Sequence, residues 1–183
     1  MDVDIFVVLD SGTAEFVLFE QDEIRKYAGQ RADWCADDQV QVAIANAGVA
    51  IFIPVGVDGA FAFRLTTGAL TLDEQEHLFV AEKRCWLEVH DHELRFGGLE
   101  TLPTGEGGET LYIYEDEYAT LPFEPGRYHV EIYRLEYLRI DDEEEKNLRA
   151  RADYVLRFTL FGPGEIPAQL TAISDIGLAT RRS

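Results

Sequence analysis

The chain has 183 residues, 46% of them apolar and 11% aromatic, with a net charge of −19 at neutral pH. That apolar content suffices for a packed core and excludes global disorder. The charge excludes nucleic-acid binding through basic patches, because phosphates are also anionic.

No apolar run approaches the roughly 20 residues that span a bilayer. The N-terminus, Met1-Asp-Val-Asp-Ile5, lacks the basic and apolar regions of a signal peptide, so the expected compartment is the cytoplasm. Cys35 and Cys85 are too few for a disulfide framework and read as reduced thiols of a bacterial cytosolic chain. No Lys or Arg occurs from Ala32 to Phe63, or from Phe96 to Gly126. Surfaces of this kind attract basic partners.

Val3–Leu9 is apolar and β-branched, and Asp10-Ser11-Gly12 ends it as a turn before the apolar run Phe16–Phe19. Two such runs around a Gly-containing loop predict a hairpin. Glu20–Asp38 is polar, with a short helix expected near Glu23–Tyr27 and apolar anchors at Trp34 and Cys35. Val49, Ile51, Ile53, Val55 and Val57 then alternate, Asp58-Gly59 interrupts, and Phe61, Phe63 and Leu65 resume. Period two on both sides of Asp-Gly predicts a type I′ hairpin.

Leu78–Ala81, Trp86–Val89 and Leu94–Phe96 are further strand candidates, with His90–Glu93 as a turn. Thr104–Thr110 holds three glycines and reads as a loop, and Tyr112–Phe123 is aromatic, acidic and strand-like. In Arg127–Ile140 the apolar phase moves from Tyr128, Val130 and Ile132 to Tyr133, Leu135 and Tyr137, which predicts a bulge near Ile132. Asp141–Glu145 is a dense acidic block, Tyr154, Leu156, Phe158 and Leu160 alternate as a last strand, and a short helix is expected near Ala168–Ile173.

Short strands separated by turns, without long amphipathic helices, predict an all-β fold: one antiparallel β-sandwich of about ten strands with minor helix. Residues 1–183 are expected to form one domain, with 1–30 as an N-terminal hairpin extension and 165–183 as an irregular tail. The expected core includes Trp34, Ile51, Ile53, Phe61, Phe63, Trp86, Leu87, Tyr128, Val130, Tyr154, Leu156 and Phe158.

Catalytic motifs are sparse. His90 and His92 have H-x-H spacing, and Pro125-Gly-Arg-Tyr-His129 is similar to the second metal motif of cupins. No Glu follows His92 by three or four residues, so exposed turn histidines are the expectation, with no metal and no cofactor. Both cysteines adjoin a tryptophan (Trp34, Trp86), which suits an inert thiol better than a thiolate. Gly105-Glu-Gly-Gly-Glu109 lacks the Lys-Ser/Thr of a P-loop.

One family has the same order of signals. Trp34 with the Ala/Val segment after it, Val49–Ile53, and Asp58-Gly-Ala-Phe-Ala-Phe-Arg64 come first. The turn around Val89–Leu94, Leu121-Pro-Phe-Glu-Pro-Gly-Arg-Tyr128 and Ala152-Asp-Tyr-Val-Leu156 follow. Over about Arg31–Phe161 this resembles the inhibitors of the competence nuclease, the ComJ family. The resemblance implies a small acidic protein that binds and blocks a basic nuclease.

The functional expectation is a non-enzymatic acidic binding protein of inhibitor or immunity type with a basic protein partner. A cupin-like metal-dependent enzyme is the alternative, and a structural or regulatory module whose acidity serves solubility is a third. The expected partner-binding residues are Glu106, Glu109, Tyr112, Tyr114, Glu115, Asp116, Glu117 and Tyr118, with Asp141, Asp142, Glu143, Glu144 and Glu145. They combine carboxylates in or beside loops with aromatic anchors.

Overall fold

A computed structural model of the chain describes residues 2–28, 37–102, 118–137 and 151–173. The elements begin with β1 (Asp4–Ser11), β2 (Glu15–Phe19), α1 (Gln21–Ala28), α2 (Asp38–Asn46), β3 (Ala50–Pro54) and β4 (Gly59–Thr66). After α3 (Leu72–Glu76) come β5 (Leu78–Val89), β6 (Glu93–Gly98), β7 (Tyr118–Pro122), β8 (Gly126–Leu135) and β9 (Tyr154–Leu160).

The strands form two sheets, a five-stranded one ordered β1-β4-β9-β8-β5 and a four-stranded one ordered β3-β2-β6-β7. β4 and β9 pair in parallel, and the other pairs are antiparallel. The single antiparallel sandwich of about ten strands is therefore corrected to nine described strands in two sheets, with one parallel pair and three α-helices.

Period two places alternate apolar side chains of each strand on the face between the sheets. Phe16 of β2 meets Phe63 of β4 with ring centroids 4.8 Å apart, and Phe63 meets Phe96 of β6 at 4.8 Å and stacks on Tyr154 of β9 at 5.3 Å. Phe16, Phe63 and Phe96 are fully buried, and truncating any of them to Ala would cost about 3–5 kcal/mol. Of the expected core, Trp34 lies outside the described residues. Phe61 is half-buried against the core, and Trp86 is buried on the other face of its sheet, beside Phe161.

Two expected hairpins do not form. β1 pairs with β4 while β2 pairs with β3 and β6, so Ser11–Ala14 carries the chain from one sheet to the other. β3 and β4 likewise belong to different sheets, and Asp58-Gly59 belongs to a second crossing rather than a type I′ turn. Gly56 (φ 83°) and Gly59 (φ 137°) supply the left-handed conformations that this crossing needs.

The expected bulge near Ile132 is also corrected. β8 pairs with β9 in unbroken register, and the irregularities lie in β5, between Leu78 and Val80 and, opposite Val130–Ile132, between Glu82 and Cys85. The phase change in β8 has another cause. Tyr133 and Leu135 face outward and are covered, forming a second apolar cluster with Ala152, Val155, Leu70 and Tyr137.

α1 covers the expected helix, but α2 and α3 were not expected. Asp37 caps α2, its carboxylate accepting from the Gln39 and Val40 amides at 3.0 and 3.4 Å. Gly48 (φ 71°) ends it in a Schellman motif: the Gly48 amide donates to Ala45 O at 3.0 Å and the Val49 amide to Ile44 O at 3.2 Å. A Thr71–Glu74 capping box starts α3. No helix forms over 168–172. Instead the Asn46 side chain donates to Leu170 O at 2.9 Å and accepts from its amide at 2.8 Å, tying the tail to the end of α2.

Candidate binding cleft

The crossing from β1 to β2 brings together residues that the sequence separates widely. Leu99–Thr101 forms one 3-10 turn after β6 and presents Glu100 to the Ser11–Thr13 loop. The Gly12 amide and the Thr13 hydroxyl each donate to its carboxylate at 2.8 Å. The Ser11 hydroxyl lies 3.0 Å from Glu100 Oε2 and 2.9 Å from Glu15 O, and its single hydrogen serves one acceptor at a time.

Partial burial opposes the charge on Glu100, but these donors outweigh it and hold the carboxyl below its ordinary range. A carboxylate so occupied is a poor general base, and Ser11 meets a carboxylate rather than a histidine. The arrangement fixes a loop and presents negative charge.

Beside this loop lies a cleft of about 780 Å³ lined by Val7–Gly12, Glu100, Thr101, Tyr118 and Ala119. That volume is in the range of ligand-binding clefts. Its walls are the margins of two sheets, because β1 ends the five-stranded sheet and β7 ends the four-stranded one. Among the described residues that line it, Asp10 and Glu100 are the only charged ones.

Tyr118 is 8% exposed, with the Arg95 guanidinium 4.7 Å above its ring. It is the one expected partner-binding residue within the described residues. Glu106, Glu109, Tyr112, Tyr114, Glu115, Asp116 and Glu117 lie outside them, as do Asp141, Asp142, Glu143, Glu144 and Glu145. Asp10 and Glu100 were missed as cleft residues, since no local motif links positions ninety residues apart.

The histidines have other neighbours. Glu20 is 2% exposed, and its carboxylate accepts from the His90 amide, from His90 Nδ1 at 3.0 Å and from the Asp91 amide. His90 is thereby held above its ordinary range, first through the hydrogen bond to Glu20. His92 approaches Glu124 at 3.5 Å, while His129 stacks on Phe161 and reaches Glu165 at 2.8 Å. Among the described residues no group of three or more His, Cys, Asp or Glu is placed to hold a metal ion. Cys85 is free and buried, and burial pushes its thiol up to about 12, with the charge of Glu82 adding to the effect.

A model described as "Family of unknown function (DUF6386)" matches residues 1–149. The chain belongs to the DUF6386 family. No curated protein sequence matches this DUF6386 member.

Among solved structures, its fold is similar to one described as "Crocagin biosynthetic gene J". The TM-score is 0.52 and the identity 13%, over 88% of this chain and 98% of that one. It also matches ComJ, inhibitor of the DNA degrading activity of NucA, from Bacillus subtilis. There the TM-score is 0.46 and the identity 11%, over 88% of this chain and 99% of that one. The first likeness shows a shared fold. Among the described residues no helix is long and apolar enough to cross a membrane.

Proposed function

We propose that this chain is a non-enzymatic acidic binding protein that captures and blocks a basic protein, in the manner of an inhibitor or immunity protein. The observation that carries this reading is the cleft: on a chain of net charge −19, the only charged groups lining it among the described residues are the carboxylates of Asp10 and Glu100. Complementary charge accelerates encounter with a basic partner and disfavours acidic ones. A nuclease is the partner class that the sequence resemblance to the ComJ family implies. Glu106–Glu124 and Asp141–Glu145 extend the acidic surface in this proposal.

Capture from native lysate on immobilised protein tests it. The captured protein should be basic, and binding should fall steeply between low salt and 0.5 M salt, where the screening length shrinks below about 8 Å. Asp10→Lys, and separately Glu115→Lys with Asp116→Lys and Glu117→Lys, should weaken capture while thermal unfolding stays unchanged. Capture indifferent to salt and to both variants would overturn the reading.

A further inference from the structure

β1 ends its sheet, and its backbone hydrogen bonding can be assigned residue by residue. The Thr67 amide donates to Val3 O at 3.0 Å, so Val3 and Thr67 form a hydrogen-bonded pair at the start of the β1/β4 ladder. Such pairs alternate along antiparallel strands. Ile5, Val7 and Leu9 therefore bond to β4. The amides and carbonyls of Asp4, Phe6, Val8 and Asp10 point away from it.

The β4 side agrees. Ala62, opposite Val8, turns its backbone groups toward β9: its carbonyl accepts from the Asp153 amide and its amide donates to Asp153 Oδ2, both at 2.7 Å.

The side chains follow the same alternation. Ile5, Val7 and Leu9 pack against the core, and Phe6 (42% exposed) and Val8 (62% exposed) stand on the outer face between Asp4 and Asp10. Asp4 is engaged by Arg64, whereas Asp10 has no ion pair among the described residues. The cleft runs along Val7–Gly12 of this strand.

An edge that no other described strand covers, with two apolar side chains on it, invites pairing with another strand. The charges select which one. In the antiparallel self-pairing centred on Val7, Asp4 would face Asp10 of the second copy, and like charges directly opposite are destabilising. A basic extended segment meets the opposite situation, placing cations against these carboxylates and apolar side chains against Phe6 and Val8.

We propose that β1 is a strand-addition site, where an extended segment of a basic partner continues the five-stranded sheet beyond β1. The segment would bond to the backbone of Phe6, Val8 and Asp10, with basic residues flanking an apolar pair on one face. This rests on the acidic-binder reading and assigns it a surface.

The test uses the full chain and a blocked nine-residue peptide, Thr-Lys-Thr-Val-Thr-Val-Thr-Lys-Thr, which puts lysine, valine, valine and lysine on one face, with residue-resolved amide exchange as readout. In the free protein the Phe6, Val8 and Asp10 amides should exchange freely while those of Ile5, Val7 and Leu9 are protected. Millimolar peptide should slow exchange at Phe6, Val8 and Asp10 by tenfold or more, and the same peptide with glutamate in place of both lysines should not.

Val8→Pro removes an outward amide that β4 does not use, so the fold should persist and the protection should vanish. Val8→Lys, which keeps the backbone donor, should weaken the effect if the proline variant proves unfolded.

Basic peptide protecting amides elsewhere, with Val8→Pro indifferent, would overturn the strand-addition site and leave the acidic-binder reading standing. No salt-dependent binding of the basic peptide anywhere would sink both. Protection of the three amides without peptide would also overturn the proposal: in a monomer the chain covers its own edge, and in a dimer a second copy does.

Discussion

A side-chain carbon built on Gly48 would lie 2.4 Å from Cζ3 of Trp86, closer than any real contact, so the glycine at the end of α2 is the floor on which the indole rests. Two demands meet at this position. The backbone is left-handed at φ 71°, as the Schellman motif requires, and the ring leaves no room for a methyl group. Gly48→Ala should destabilise the protein by about 2–4 kcal/mol, summing left-handed strain and overpacking. Urea unfolding measures this. Adding Trp86→Ala should recover the overpacking part, and a purely additive double mutant would show that the ring is not the obstacle.

Arg64 ties β1, β4 and α3 together. Its Nη1 donates to both Glu74 oxygens at 3.0 and 2.8 Å, and Nε and Nη2 reach Asp4 at 2.7 and 3.0 Å. The Glu74 side chain is 8% exposed, so removing the cation leaves a buried carboxylate unpaired. Arg64→Met should cost roughly 3 kcal/mol, and Glu74→Gln should cost less because an amide still bonds Arg64.

The Arg64 hydrogen bond also lowers the Asp4 carboxyl below 3.8. The stability it contributes is present above 3.8 and lost as pH falls through the lower folded value. Arg64→Met should return Asp4 to its ordinary range, read by carbon-detected titration.

His90 should titrate above 6.5 in the folded protein, chiefly because Nδ1 is hydrogen-bonded to Glu20, with the Glu20, Glu23 and Glu88 charges adding. A raised imidazole contributes stability that is full below the unfolded value and is lost as pH rises through the folded one. Glu20→Gln should lower the His90 midpoint and loosen the turn between β5 and β6, visible as faster exchange of the Asp91 amide. An unchanged midpoint would mean that the pair does not form in solution.

Glu15 makes stability depend on pH in the same direction as His90, through burial rather than through a hydrogen bond. Burial pushes its carboxyl from 4.5 up to about 7, a hydrogen bond with Gln41 opposes this, and the charge of Asp38 adds to it. Between those values the folded state binds the extra proton, so this group makes stability fall as pH rises from about 4.5 to 7. Glu15→Gln should be more stable than the parent at pH 8 and nearly equal to it at pH 4. Equal stability at both would show that Glu15 titrates normally.

Strand positions were largely legible in the sequence, and strand partners were not. Alternation marked Phe61–Leu65 and Tyr154–Leu160 because half of each strand faces the core. The same alternation cannot say whether the next strand lies in the same sheet or the facing one. Thus Asp58-Gly59, a strong hairpin signal, turned out to belong to a crossing.

α2 was hidden because Val42–Ala50 is mostly small and, apart from Asn46, apolar and carries neither period clearly, although Asp37 and Gly48 marked its ends. The second face of β8 was misread for a related reason: a strand covered on both sides mimics a bulge where one apolar set hands over to the other. The cleft was not legible in the sequence, since Glu100 reaches Gly12 only through the fold.

β9 is the last of the described strands in chain order, yet it occupies the middle of the five-stranded sheet, between β4 and β8. Phe63 pairs with Tyr154 across this seam. On the ribosome the growing chain therefore holds two half-sheets, β1-β4 and β8-β5, each offering a raw interior margin until residue 160 emerges. Contacts of such long sequence separation close slowly and leave partly made sheets exposed to association. A chain stopped before Tyr154 would be a pair of adhesive edges rather than a shorter version of the protein, and quality control in the cell would meet it as such.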